Sequence, residues 1–314
     1  VSIVVAIDHG AASDRPGHRG QANFLASLLT RGTARRGAEQ IAADAEALGG
    51  EIAAGADWDA MTLSLTVPRT RSAVALALLA DLAREPALAA AEADRLRAEL
   101  RADLAVRLRE PGTLAAAVAS RLVFGASPYG GLLSGTPRSL GRIATIDLRD
   151  FYAATFRPAN AVVAVAGDIA AEEALAQAEA AFGSWEGSRR RTPLPRPRLV
   201  VPPVVRRVVL VDLPDAGQAA VTVVRPGLAR ADRAYPAALL ANGVLGGGFS
   251  SRLNLEIRIR RGLAYGAFSD LAGRAGTGPL TLGAQTRDDA AARVAGLMVA
   301  ALERLPLDPI PAEE

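Results

Sequence analysis

Cysteine and lysine are both absent from this chain of 314 residues, and histidine occurs only twice. Without cysteine there is no disulfide, no thiolate zinc site and no thiol nucleophile. The compartment stays open on that ground. His9 and His18 lie in a strand end and a loop, so they cannot form a metal-binding pair on one helix face. Each reads as a surface or loop histidine rather than a ligand. All 36 basic residues are arginine, and they stand against 33 acidic ones for a net charge of +3. The two signs are interleaved along helices, which is how solvated faces look. Aromatic residues are only 4% of the chain, so there is no platform for stacking bases, and no nucleic-acid partner is expected. No apolar run approaches the roughly 20 residues of a membrane helix, and no membrane span is expected. No signal peptide stands at the start: residue 1 opens directly into a strand-like run, as if a leader had been removed or left out. A self-sufficient hydrolase finds no support, because there is no G-x-S-x-G, no cysteine and no histidine placed as a base.

Hydrophobic residues make up 50% of the chain and charged residues 22%, which is the composition of a folded protein with sizeable cores. Its length allows two or three domains of roughly 150 residues. Residues 1–7 read as an interior strand and 8–20 as a loop. Residues 19–33 (RGQANFLASLLTRGT) carry the stretch around which the rest is organised. Phe24, Leu25, Leu28 and Leu29 give this helix one broad apolar face. A helix over 38–48 and strands over 51–57 and 60–67 follow. Helices are expected over 72–84, 89–109 and 113–123, with Pro111 and Gly112 separating the last two. Residues 124–140 read as loop, 147–155 as helix, 161–166 as a buried strand and 170–182 as helix.

Residues 186–206 hold five prolines and an arginine run and read as a semi-rigid linker between domains at 1–185 and 207–314. The order then restarts: strands over 208–213 and 219–224, helices over 235–245 and 249–261, strands over 265–271 and 279–286, and a helix over 288–305. Strand, helices, strand pair and helix thus occur on both sides of the linker, a weak internal duplication of element order. The fold expected is α+β, two similar domains, each a largely antiparallel sheet packed with helices. The second copy lacks the later elements of the first and is expected to be truncated.

Asn23 and Ser27 are four residues apart on one side of the central helix, with Ala26 between them. In an inverted zinc-peptidase motif, H-x-x-E-H, those positions hold the two histidine ligands and the general-base glutamate. The spacing is present and the ligands are absent. The same residues also fit a plain core helix with a polar seam.

Taken with their surroundings, these segments resemble the pitrilysin/insulinase family of zinc peptidases. Gly20-Gln21-Ala22 precedes Asn23, and Gly32-Thr33 ends the stretch, as in that family. Gly49-Gly50-Glu51-Ile52, Pro128-Tyr129-Gly130 and Arg157-Pro158-Ala159-Asn160 resemble its later segments. GGGFSSRL at 246–253 and RIRRGLAY at 258–265 resemble its C-terminal half. The resemblance covers nearly the whole chain and implies an inactive subunit. The family's third ligand is a later glutamate, and Asp103 stands near that position, where it reads as a solvated helix charge. No zinc is expected in this chain. A zinc-binding H-x-x-E-H partner subunit is expected to supply it.

The resemblance also assigns Arg258 and Tyr265, seven apart, as a pair reaching into the zinc cleft of the other half or subunit. A guanidinium and a phenol are strong donors, suited to a substrate carbonyl and its oxyanion. The plainer reading is that Arg258 complements a helix C-terminus and Tyr265 starts a strand. Gly246, Gly247 and Gly248 are read as a flexible loop beside the cleft. Glu51, Ile52 and Ala53 begin the edge onto which an unfolded peptide would add as a strand, or else an ordinary sheet strand. The function implied is that of a catalytically incomplete subunit of a heterodimeric zinc endopeptidase. The alternative is a structural scaffold subunit that cuts no peptide. Bacterial relatives in that family often carry an export signal, which leans towards the periplasm, with the cytoplasm as the other possibility.

Overall fold

The computed structural model describes residues 1–187, 190, 207–308 and 310–311. In chain order the elements are β1 (Ser2–Ile7), α1 (Gln21–Leu28), α2 (Ala38–Ala47), β2 (Ala53–Ala56), β3 (Met61–Thr66), α3 (Ser72–Arg84), α4 (Ala90–Arg107), α5 (Pro111–Phe124), α6 (Pro137–Leu140), α7 (Thr145–Thr155), β4 (Ala161–Ala166) and α8 (Ala171–Phe182). After the linker come β5 (Ala219–Ala229), α9 (Tyr235–Gly246), α10 (Arg252–Asn254), β6 (Ala264–Leu271), β7 (Thr277–Thr286) and α11 (Ala291–Arg304). The class is α+β with antiparallel sheets, as expected. Most of the linker read at 186–206 lies outside the described residues.

The chain forms two compact units: Val1–Leu104 with Leu132–Pro195, and Ala105–Gly131 with Arg196–Glu314. The first holds a four-stranded sheet in the order β2-β3-β1-β4. Period-2 alternation sends Ile3, Val5 and Ile7 of β1 and Met61, Leu63 and Leu65 of β3 to one face, where they are buried against α1 and α3. The other face carries Ser2, Val4 and Ala6 beside Thr66, Ser64 and Thr62. β4, read as a buried strand, is instead the sheet's edge, and its Val162 is 56% exposed. A short continuous apolar run cannot by itself separate those two positions.

The second unit holds a three-stranded sheet in the order β5-β7-β6. Leu245, Leu253, Ile257, Leu282, Val294 and Met298 form its core. The segment 105–131, read with the N-terminal domain, belongs here. α5 packs on β5 and β7, and Pro111, read as a separator, is the first residue of α5, where its missing N–H costs nothing. Arg274, between β6 and β7, lies over the rings of Phe124 (5.3 Å) and Tyr129 (4.8 Å). The Tyr129 hydroxyl accepts from the Gly276 N–H at 3.1 Å.

Three further expectations are corrected. Residues 208–213 form no strand: Val208 and Leu210 are 89% and 92% exposed, and a strand without a neighbour leaves its backbone groups unpaired. The stretch 124–140 is not all loop. Thr136 and Ser139 form a capping box around α6, with Ser139 N–H to Thr136 Oγ1 at 3.0 Å and Thr136 N–H to Ser139 Oγ at 2.8 Å. The helix read over 249–261 begins only at Arg252 and continues from Leu255 to Ile259 as a wider π-turn.

Candidate functional site

α1 carries the degenerate zinc positions. Asp14 starts the helix by accepting from the Gly20 N–H at 2.7 Å and the Ala22 N–H at 2.8 Å, so a carboxylate sits at the positive end of the helix dipole. Burial pushes the Asp14 carboxyl up to about 7, against the opposing pull of the Ala22, Gly20 and Gln21 N–H groups and of Arg19. Phe24, Leu25 and Ala26 are fully buried, while Asn23 and Ser27 are half-buried. At the two ligand positions zinc would meet a carboxamide and a hydroxyl, which do not fit the ion's preference for imidazole, thiolate and carboxylate, and Ala26, in the general-base position, offers only a methyl. Asp103 is exposed on α4. Among the described residues no three His, Cys, Asp or Glu side chains converge.

His9, read as a surface or loop residue, lies in its loop but is buried, and desolvation lowers its pKa against the raising effect of Asp8. His18 is in its loop, with Nε2 3.7 Å from Asp147 Oδ2.

The β2 strand is a sheet edge, as its candidate role requires, but it is shorter than read. Its pairing runs from Ala53↔Ser64 to Ala56↔Met61, so Ala53 lies in the strand while Glu51 and Ile52 precede it. Asp57 ends it with an Asx turn, Oδ1 accepting from the N–H groups of Asp59 and Ala60, both at 2.7 Å.

In the second unit the three glycines differ from one another. Gly246 is the last residue of α9 and is buried; a Cβ there would stand 2.3 Å from the Ser269 nitrogen of β6. Gly247 is the helix cap, and Gly248 has open space around it. Only Gly248 therefore has the freedom that a loop reading asks of all three.

Arg258 sits on the π-turn, where Arg260 N–H bonds the Leu255 carbonyl at 2.9 Å. Such a turn inserts an extra residue into a helix and is frequent at functional sites. Gly262, at φ +59°, then ends the helix, with its N–H on the Arg258 carbonyl and the Leu263 N–H on that of Ile257. Tyr265 follows on β6, where the register to β7 shifts between Ala264 and Ala267. A bulge re-aims a side chain, and Tyr265 is 88% exposed.

The two irregularities bring the pair together. The Arg258 guanidinium carbon lies 4.9 Å from the centroid of the Tyr265 ring and 4.9 Å from that of Phe249. Among the described residues Arg258 forms no salt bridge, so the ring faces hold it while its N–H edges can still donate. Phe249 was not singled out in the sequence; GGGFSSRL places it nine residues before Arg258, and no simple periodicity links them.

Residues 1–121 match insulinase (peptidase family M16), and residues 144–314 match the peptidase M16 inactive domain. The chain is 29% identical over 272 residues to an uncharacterized zinc protease of Streptomyces coelicolor, covering 86% of this chain and 59% of the relative. It is 29% identical over 284 residues to one of Mycobacterium tuberculosis, covering 90% of this chain and 64% of the relative. It therefore spans about three fifths of the length of these relatives. The alpha subunit of the mitochondrial processing peptidase of Solanum tuberosum is 26% identical over 178 residues, or 57% of this chain and 35% of that one. Among solved structures, a peptidase M16 inactive domain from Pseudomonas fluorescens superposes with TM-score 0.85 at 23% identity, over 99% of this chain and 75% of the other. A protease from Helicobacter pylori gives TM-score 0.91 at 20% identity, over 99% and 76%. These two show the fold. The family matches together span most of the sequence, and the chain belongs to peptidase family M16, the insulinase family.

Proposed function

We propose that this chain is the catalytically incomplete subunit of a heterodimeric zinc endopeptidase. The observation that carries the reading is the Arg258–Tyr265 contact, at 4.9 Å, in a chain whose Asn23, Ala26 and Ser27 cannot serve as a zinc site. A family member without ligands of its own has use for such a donor pair only where a second subunit supplies the metal. The name of the Solanum relative, a peptidase subunit, is in keeping with that.

The partner contributes the zinc and the general base through its H-x-x-E-H helix. This chain contributes two hydrogen-bond donors. The Arg258 N–H groups and the Tyr265 O–H bind the carbonyl of the scissile peptide and stabilise the negative charge that develops on its oxygen. The ring contacts hold the guanidinium in place before substrate arrives, which lowers the cost of ordering a long side chain. The substrate is an unfolded peptide, taken as an added strand, with Ala53 on the β2 edge and Glu51 and Ile52 leading into it.

Arg258→Ala and Tyr265→Phe test this in the reconstituted heterodimer. The expected result is loss of cleavage with the heterodimer intact by size-exclusion chromatography. Unchanged cleavage would favour the scaffold reading, in which no peptide is cut at this pair.

A further inference from the structure

Asn254 joins the three pieces of backbone that surround Arg258 and Tyr265. It closes the short helix α10 and is buried. Its Nδ2 donates to the Phe249 carbonyl at 2.7 Å, and its Oδ1 accepts from the Ala267 N–H at 3.3 Å. The Phe249 carbonyl belongs to the turn that follows Gly248. The Ala267 N–H lies where pairing with β7 resumes after the bulge that holds Tyr265. Arg258 lies four residues beyond Asn254 in the same helical segment. One buried carboxamide therefore spans the turn bearing Phe249 and the strand bearing Tyr265, and its own helix bears Arg258.

We propose that Asn254 is the positioning residue of the Arg258–Tyr265 pair: it holds the Phe249 ring and the β6 bulge at the separation that keeps the guanidinium against both rings. An amide suits this task because it offers a donor and an acceptor on one rigid plane. No apolar side chain of that size could pair either the Phe249 carbonyl or the Ala267 N–H. A buried backbone group left unpaired there would draw the loop or the bulge away to find another partner or water. Displacing catalytic donors by about 1 Å costs on the order of a hundredfold in rate. The kinetic consequence rests on the function proposed above; the positioning itself does not.

Two substitutions separate the arms. Asn254→Leu removes both hydrogen bonds at similar volume. Asn254→Asp keeps an acceptor for the Ala267 N–H and loses the donor to Phe249. The first readout is made on the chain alone. Protons on the Arg258 side chain, lying over ring faces, resonate upfield, and NMR follows that shift. Asn254→Leu is expected to abolish it and Asn254→Asp to reduce it. The second readout is peptide cleavage by the mixed heterodimer. Asn254→Leu is expected to lower kcat by roughly tenfold to a hundredfold with KM nearly unchanged, because the interactions lost are those of the transition state. A folded Asn254→Leu chain with the Arg258 shift intact would overturn the proposal. Should that variant fail to fold, an unchanged shift in Asn254→Asp would overturn it instead. A wild-type mixture that cleaves nothing counts against the heterodimer reading, and the shift on the isolated chain then decides the role of Asn254.

Discussion

Arg258 meets Tyr265 face to cation, its guanidinium carbon 4.9 Å from the ring centroid, although the two residues come from a helix and a strand. A planar guanidinium on a ring can still present its N–H edge to a substrate oxygen. An ammonium keeps the charge but has no plane to stack and no fork of donors. In the heterodimer, Arg258→Ala is expected to lower kcat/KM by about a hundredfold to a thousandfold, the cost of one oxyanion donor. Arg258→Lys should recover only a minor part of that loss. Full recovery by lysine would mean that charge alone matters and that the ring contacts are incidental.

Asp14 gives the first unit a pH dependence of defined sign. Its folded pKa, raised to about 7 by burial, lies above the ordinary value of 3.8. The native state therefore keeps a proton that the unfolded chain releases between those two values. The stability this provides is fully present below the lower value and is lost as pH rises through about 7. Thermal melting should fall from about pH 4.5 to about pH 7.5, and Asp14→Asn should flatten that slope even if it lowers the melting temperature throughout. His9, whose pKa burial lowers, contributes with the opposite sign over part of this range, so a slope that Asp14→Asn leaves unchanged would contradict the account of Asp14.

The substituted zinc positions lead to a direct expectation on metal content. Ala26 is fully buried and offers no donor atom, and Asn23 and Ser27 offer weak ones. The purified chain, dialysed against zinc and then buffer, should retain far less than one zinc per chain, and a chelator should leave its melting temperature unchanged. Stoichiometric zinc, by elemental analysis, would overturn the assignment of the metal to the partner.

Arg274 and Tyr129 fasten the segment 105–131 within the second unit. Tyr129→Phe removes the acceptor of the Gly276 N–H and should cost about 1 kcal/mol. Arg274→Ala removes a cation lying over two rings and should cost about 2 kcal/mol. Phenylalanine keeps the ring on which Arg274 lies, so the coupling is read with Tyr129→Leu, which together with Arg274→Ala should depart from additivity by at least about 0.5 kcal/mol in urea unfolding. Strict additivity would mean that the two side chains act independently.

Periodicity located most of this architecture, because buried faces write themselves into a sequence. The alternation in residues 61–67 produced β3, and the apolar spacing over 72–84 matches α3 end to end. What periodicity leaves open is the neighbour. The apolar run 208–213 looks like a strand, yet among the described residues it pairs with no other strand. The helix α5 reads as amphipathic in any context, and nothing in its spacing says that it packs on β5. The site was legible only through the resemblance of GGGFSSRL and RIRRGLAY, since a spacing of seven residues by itself does not single out Arg258 and Tyr265. The π-turn, the bulge and the Phe249 ring that bring them together depend on backbone irregularities with no sequence period. The capping box at Thr136 was readable from Thr-Pro-Arg-Ser and is the one missed element with a local signal.

Cleavage of an unstructured fluorogenic peptide in the presence of zinc tests the central claim most directly, comparing this chain alone, an H-x-x-E-H family member alone, and the two mixed. The account predicts cleavage in the mixture and none from either chain by itself. Cleavage by the partner alone, unchanged on adding this chain, would contradict it.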